Sequence, residues 1–377
     1  MIFSHKLYTD GQSIDFDKLE KIFTPYQPMK NCLQNPKYHK EGDVWEHTKL
    51  TLKEIVKYFD GMDDYGKNVL FLSALLHDIA KPISTKEVNG ELETKKHSVM
   101  GARMVREILW GKNRIWTVPW KLREEVSNMV LLHSLPVHFI NRADPERSIY
   151  GSSQVLVNKQ LKILSQADSL GRICEDDKDQ NYSIEAIQLF ETFCKEKDCW
   201  DKVKEFPSDN ARFRYFFDHK GLSDYDIFEP YIGNVIMMSG IQGSGKSYTI
   251  KEIYSDLPVI GLDETREKLD VEFGEAEGEV SQSVKEQCKE LMRAKKDFVF
   301  NATNTIKDNR SRWIRLFRQY GYSITIHYVE KPIEKTLINN RNRELKLPDS
   351  IILEKFSKLD VPTRLECHRL ELDVEEA

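Results

Sequence analysis

Apolar residues recur at three- and four-residue spacing along Trp45–Phe59, Lys67–Ala80, His97–Leu109, Leu122–Leu132, Gln154–Ser169 and Ser183–Lys195, which predicts six helices. Asp43 stands where it can cap the first, and Pro82 lies just beyond the second, as a helix stop should. Between Pro82 and His97 the chain is polar, and its Asn89-Gly90 pair predicts a tight hairpin turn. Val137–Ser152 reads as a long loop marked by Asp144-Pro145 and Gly151. The texture changes near residue 230. Asn234–Ser239 is a continuous apolar run of strand length, followed by a Gly-rich turn and the helical pattern Ser247–Tyr254. Pro258–Leu262, Phe298–Asn301 and Ser323–Val329 read as further strands. The patterns Glu264–Leu269, Val280–Ala294 and Lys307–Tyr320 lie between them as helices. Strands that alternate with helices predict a parallel sheet. The expected fold is therefore two-domain: an all-α helical bundle over residues 1–225, a linker over 226–234, and an α/β domain with a parallel sheet over 235–377. The polar stretch Phe217–Tyr231 marks the join, and the acidic stretch Glu272–Glu279 reads as a solvated loop.

Composition narrows the picture. The 377 residues are 31% charged and 40% hydrophobic, a globular balance, with a net charge of −5. Residues 235–377 carry 23 Lys and Arg against 25 Asp and Glu, so neither half coats nucleic acid through bulk charge. No apolar run is long enough to span a bilayer, and Met1–Asp10 is too polar for a signal peptide. The six cysteines form no CxxC pair and read as reduced thiols. A cytoplasmic protein without membrane attachment is expected.

Gly240-Ile-Gln-Gly243-Ser244-Gly245-Lys246-Ser247 satisfies the phosphate-binding pattern G-x-x-x-x-G-K-[ST], with an apolar strand before it and a helix after it. Its glycines let backbone N–H groups wrap a β-phosphate at the positive end of the helix dipole. Lys246 then bridges the β- and γ-phosphates of ATP or another nucleoside triphosphate, and the Ser247 hydroxyl holds Mg²⁺. The next strand ends at Asp263, where the C-terminal ends of strands face the ligand crevice. Asp263 is either the general base for an attacking hydroxyl or a helix N-cap, and Arg266 either holds an anion on the acceptor or is a surface charge. Asn301 stands where an ATPase motor would carry an acidic residue. Arg341 and Arg343 lie in a polar helix beyond the last strand, placed either to close over the nucleotide or to face solvent.

The block GIQGSGKS…LDETR…FVFNATNTIKDNRSRWI…YVEKPIEKTLINNRNRELKLP resembles the P-loop kinase family that includes polynucleotide 5′-kinases, over about residues 235–365. The resemblance implies that Asp263 is the general base for a 5′-hydroxyl. It further implies that Arg266 contacts the neighbouring acceptor phosphate and that Arg341 or Arg343 engages the γ-phosphate.

The helical part carries His47, His77-Asp78, His97, His133, His138 and Asp168, each at the end or on the face of a different helix or in the loop after it. Imidazoles and carboxylates from several helices can converge on one or two divalent cations inside a bundle. A buried His-Asp pair beneath an apolar helix is costly unless coordinated or hydrogen-bonded. Order and spacing resemble the HD phosphohydrolase superfamily. That resemblance implies His47, His77, Asp78 and Asp168 as ligands of one ion and His97 and His133 as ligands of a second. Asp78 then bridges the two, and a water of lowered pKa attacks a phosphoester. Lys81 either holds the substrate phosphate or completes a helix dipole. His39 either binds substrate or presents the following helix, and His138 is either an outer ligand or a phosphate contact. Mixed N and O ligands do not choose among transition metals.

Together the two blocks resemble the bacterial HD-Pnk family of RNA end-healing enzymes. The resemblance implies phosphorylation of 5′-hydroxyl ends and removal of 2′,3′-cyclic, 2′- or 3′-phosphate from RNA or DNA ends, with a separate nucleic-acid ligase as partner. Two alternatives remain: a mononucleotide phosphohydrolase fused to a small-metabolite kinase, and a nucleotide sensor that gates an HD hydrolase. The basic helix Arg310, Arg312, Arg315 and Arg318 favours a polyanionic acceptor.

Overall fold

The structure, a computed structural model, describes residues 13–271 and 274–377, so the reading of Met1–Asp10 and part of the acidic stretch lie outside the described residues. The chain divides into two compact units between Lys204 and Glu205. That division falls before the expected boundary at residue 225. Residues 205–225 join the second unit because Phe213 is buried in its core, and Arg212 donates to the carbonyls of Arg364, Cys367 and His368. The stretch expected as a linker is tied down as well: Glu229 accepts from Arg214 and Arg318.

The principal helices of the first unit are α1 (Val44–Ile55), α2 (Asp64–Leu76), α3 (His97–Trp110), α4 (Trp120–Leu132), α5 (Asn158–Leu170) and α6 (Asp177–Glu196). Asp43 and Asp63 cap α1 and α2 by accepting from the N–H groups of Glu46 and Gly66. Helix α2 is buried over Val69–Leu76 on all sides and forms the centre of the bundle. Each of its buried Val, Leu and Phe side chains contributes about 1.5–3 kcal/mol relative to exposure. The polar insert is an antiparallel hairpin, β1 (Thr85–Val88) with β2 (Glu91–Thr94), as the Asn89-Gly90 pair predicts. Both turn residues have positive φ, 53° and 81°, the geometry of a type I′ turn. The expected loop at Val137–Ser152 is instead partly a helix, Pro145–Ser153. Asp144 accepts from the Arg147 N–H as its N-cap, and Pro145 sits in the first turn, where no donor is needed.

The second unit begins with α7 (Asp209–Phe216) and then alternates: β3 (Gly233–Ser239), α8 (Lys246–Ile253), β4 (Val259–Gly261), α9 (Leu262–Leu269), α10 (Glu277–Arg293), β5 (Phe298–Asn301), α11 (Lys307–Gln319), β6 (Tyr322–Glu330), α12 (Ile333–Arg341), α13 (Asp349–Ser357) and β7 (Arg369–Val374). All pairings are parallel, in the order β4-β5-β3-β6-β7. Strand β3 is central and buried, and connections leave it towards β4 and β5 on one side and β6 and β7 on the other. That reversal opens a crevice at the C-terminal ends of the strands. Helix α10 starts at Glu277, so the acidic stretch is not wholly a solvated loop. Among the described residues no helix is long and apolar enough to cross a membrane.

Candidate active sites

In the first unit His47 comes from α1, His77 and Asp78 from the turn closing α2, His97 from the start of α3, His133 from the end of α4 and Asp168 from α5. The α5 helix can approach α1 because residue 171 is glycine: a Cβ there would lie 2.8 Å from Thr51 Oγ1 and 2.9 Å from its backbone N. His47, His77, Asp78, His133 and Asp168 are all buried. The ligand atoms of His47, His77 and Asp168 lie within 4.8 Å of one another, as do those of Asp78, His97 and His133. Asp78 stands between the two groups: Oδ1 lies 3.7 Å from His97 Nε2 in its own group, and Oδ2 lies 3.2 Å from His77 Nε2 in the other.

The imidazoles are held in one tautomer. His77 Nδ1 and His133 Nδ1 each donate at 2.8 Å to the carbonyl three residues earlier, Ala74 and Val130, which leaves both Nε2 lone pairs facing the centre. Burial and the neighbouring His77 push His133 down to about 4, so it stays neutral, the form that ligates metal. Burial works to raise Asp78 and Asp168, but the charges around them win. His77 and Lys81 hold Asp78 well below the usual carboxylate range, and Arg172 with His47 does the same for Asp168. Asp78 Oδ1 is buried without a hydrogen-bond partner. An orphaned carboxylate oxygen among imidazoles fits one or two divalent cations, and the mixed donors suit several transition metals.

Lys81 Nζ reaches Asp78 Oδ2 at 2.7 Å and Gln34 Oε1 at 2.6 Å, which places a cation beside the cluster rather than out on a helix end. His39 lies against His47, ring centroids 4.9 Å apart, and Glu41 Oε1 stands 2.7 Å from His39 Nδ1 and 3.1 Å from His47 Nδ1. Among the described residues His138 joins none of the ligand groups; its side chain is exposed at the surface, and partial desolvation with Arg172 lowers its pKa. Two residues were missed in the sequence. Arg172 grips Asp168 with two bonds, 3.2 and 2.6 Å, and its signal was the i,i+4 spacing on one helix face. Glu41 sits between two histidines that were singled out, yet a charged residue in a polar loop carries no periodicity.

In the second unit the P-loop follows β3. Gly240, Gly243 and Gly245 have φ of 150°, 85° and 113°, and a Cβ at Gly240 or Gly243 would lie 2.3 Å from Val329 O or 2.4 Å from Thr336 O. Lys246 folds over its own loop and donates to the carbonyls of Gly240 and Ile241 at 2.7 and 3.0 Å. Burial, then the nearby Arg343, pushes its ammonium down to about 7. The loop lies in a cleft of about 750 Å³ whose walls include Lys246, Ser247, Asp263, Arg266, Arg343 and Lys355. The Ser244 hydroxyl is buried without a partner beneath the loop.

Asp263 lines this cleft from the first turn of α9, just past β4, held by Arg266 at 2.7 Å and facing Arg343 at 3.5 Å. Arg266 is also fixed through two bonds to Glu277 at 2.9 Å, so it orients the carboxylate as well as facing the cleft. Arg343 lines the cleft, but Arg341 does not: it is exposed and pairs with Asp349 on α13. The polar spacing could not separate them because both lie where α12 ends. Lys355 was missed; it comes from α13, reaches Gln242 Oε1 at 3.0 Å and lines the cleft.

The basic helix α11 divides in two. Arg310 is fully buried, pairs with Glu366 at 2.8 and 3.0 Å and donates to the carbonyls of Asn304 and Asp360. Arg318 pairs with Glu229 and Asp218. Neither is an acceptor contact. Charge periodicity alone does not report burial.

An HD domain model matches residues 44–172, and an AAA domain model matches residues 235–357. No curated protein matches the chain. Among solved structures, a candidate kinase from Chloroflexus aurantiacus is similar at 12% identity and a TM-score of 0.33, covering 38% of this chain and 88% of that one. A gluconokinase from Sinorhizobium meliloti is similar at 14% identity and a TM-score of 0.28, covering 38% and 84%. The chain is an HD domain followed by a P-loop AAA domain.

Proposed function

We propose that the protein heals nucleic-acid ends with two chemistries, phosphorylating a 5′-hydroxyl in the P-loop unit and removing a phosphate or 2′,3′-cyclic phosphate in the helical unit. The observation that carries the reading is Asp263: a carboxylate in the helix turn just past a strand, in the same cleft as Lys246 and Ser247, oriented by a clamped arginine. A nucleotide sensor has no use for a base there, whereas a kinase with a hydroxyl acceptor does.

In the kinase step Asp263 accepts the proton of the attacking hydroxyl. Lys246, once a triphosphate displaces its carbonyl contacts, and Arg343 face the charge that develops on the transferred phosphoryl group. Ser247 would hold Mg²⁺, which neutralises phosphate charge when bound. In the hydrolase step His47, His77, Asp78 and Asp168 would hold one divalent ion and His97 and His133 a second. When bound, such ions supply Lewis-acid activation of water. The chain's own part is to keep Nε2 lone pairs free, hold Asp78 and Asp168 ionised, and offer Lys81 to the substrate phosphate.

The test is one short RNA with a 5′-hydroxyl and a 2′,3′-cyclic phosphate, incubated with γ-labelled ATP, Mg²⁺ and a panel of transition metals. Label gained at the 5′ end and phosphate lost from the other is the expected result. Free nucleotides or small alcohols turned over while both RNA ends stay unchanged would replace this reading with the metabolite-enzyme alternative.

A further inference from the structure

The loop before α1 closes on itself. Leu33 and Asp43 form a β-bridge at its base, and the Val44 N–H donates to the Cys32 carbonyl at 3.0 Å. Gly42, at φ 112°, turns the chain between Glu41 and Asp43, the cap of α1. Glu41 ends up inside that loop, with its side chain only 2% exposed. A carboxylate so deeply buried needs partners.

Its partners come from three parts of the unit. Oε1 lies 2.7 Å from His39 Nδ1 in the same loop and 3.1 Å from His47 Nδ1 on α1. Oε2 accepts from the Ile173 N–H at 2.9 Å, in the segment that leaves α5. That segment is stitched to the loop on both sides of the contact. The Lys40 N–H donates to the Ile173 carbonyl and the Glu175 N–H to the Lys37 carbonyl, each at 2.8 Å. One carboxylate therefore joins the helix that carries His47 to the exit of the helix that carries Asp168.

The ring of His47 shows what this joint does. Its Nε2 faces Asp168 Oδ1 at 3.0 Å and His77 Nε2 at 3.3 Å, on the inner side of the cluster. A neutral imidazole with a free lone pair at Nε2 carries its proton at Nδ1. His77 and His133 give that proton to a carbonyl of their own helix. His47 Nδ1 is buried and makes no well-aligned hydrogen bond among the described residues; the acceptor beside it is Glu41 Oε1. An ionised carboxylate only accepts, so it sets the neighbouring Nδ1 as a donor and leaves Nε2 for an ion.

We propose that Glu41 is a positioning residue for the metal cluster: it fixes the tautomer and angle of the His47 ring and ties that ring to the exit of α5, without itself ligating the ions. This rests on the hydrolase reading above. The competing arrangement is an ion held by His39, Glu41 and His47 themselves, whose ligand atoms lie within 4.8 Å of one another. It would put ions on both nitrogens of His47 and so require the ring to lose its second proton, which a hydrogen bond to Glu41 does not.

The experiment titrates the full chain, as wild type, E41A and E41Q, with Co²⁺ against a chromophoric chelator. E41A is expected to bind Co²⁺ about 10–100-fold more weakly than wild type while filling as many sites at saturation. Its hydrolysis of a 2′,3′-cyclic phosphate end should be deficient at limiting Co²⁺ and return to near the wild-type kcat at saturation. E41Q offers one amide oxygen to donors that now share two carboxylate oxygens, and its affinity should fall between the two. E41Q keeps the size of the side chain, so it decides the matter where E41A does not fold: weakened affinity supports the proposal, and wild-type affinity overturns it. Equal affinity in wild type and E41A overturns it as well and leaves the hydrolase reading standing. One ion fewer at saturation in both variants overturns it by making Glu41 a ligand. If wild type itself binds no Co²⁺ and hydrolyses no cyclic phosphate, the hydrolase reading fails, and the proposal with it.

Discussion

The histidine–aspartate cluster of the first unit and the P-loop cleft of the second handle charge in opposite ways. The cluster is buried, its donors point inward, and Asp78 Oδ1 lacks a partner; what is missing there is positive charge. The cleft is open, and its lining sets Lys246, Arg266, Lys331, Arg343 and Lys355 against Asp263 and Glu277, an excess of positive charge. The same reagent, a phosphate ester, suits both, but in the first a cation has to come between protein and phosphate, whereas in the second the protein meets the phosphate directly. Burial decides which arrangement is stable. Buried carboxylates among imidazoles tolerate a metal well, and a solvated rim of cations holds an anion that must also leave.

The comparison breaks most sharply at Asp78. Asp78→Ala removes the carboxylate that stands between the two ligand groups, and hydrolase activity should fall to background while 5′-phosphorylation persists, measured on the same doubly ended RNA. Loss of both would show that the units do not act separately. Asp263→Asn keeps the size and the Arg266 contact but cannot take a proton; the kinase should slow by about 10²–10⁴ with ATP affinity nearly unchanged in a filter-binding assay. A variant that phosphorylates at the wild-type rate would assign the base elsewhere. Arg172→Ala leaves every ligand in place but frees Asp168 from its two bonds. Hydrolase activity at limiting metal should drop about 10–100-fold and recover as metal is raised, which a general loss of fold would not allow.

The smallest effect is a proton. Lys246 is pushed down to about 7, so the charged form is disfavoured in the folded protein relative to the unfolded chain at every pH below that value. The unfolded chain binds more protons between about 7 and the ordinary lysine range, and stability therefore rises with pH across that window. A bound triphosphate reverses the preference. At pH 8 nucleotide binding should take up as much as one proton, seen as a dependence of the calorimetric heat on buffer ionisation enthalpy, and Lys246→Met should abolish it.

How far the sequence reached follows from the same contrast. The P-loop was legible because its chemistry is contiguous and its strand and helix flank it directly. The cluster was legible only as a set, since its members come from five different places along the bundle and each histidine alone means little. Strand β7 was missed because it is an edge strand whose charged residues alternate with apolar ones near no other signal. Arg310 counts, by charge alone, among the cations that favour a polyanionic acceptor, because nothing in a helix face's charge shows that Glu366 will meet it in the interior. Arg341 and Arg343 were inseparable until the turn at the end of α12 sent one to Asp349 and the other to the cleft.

His77 and His133 owe their poses to carbonyls of their own helices, three residues back. The instructions for presenting those two ring nitrogens are therefore written locally, and they are in force as soon as each helix forms. Presentation of those two nitrogens is thus a property of each helix by itself rather than of contacts between helices.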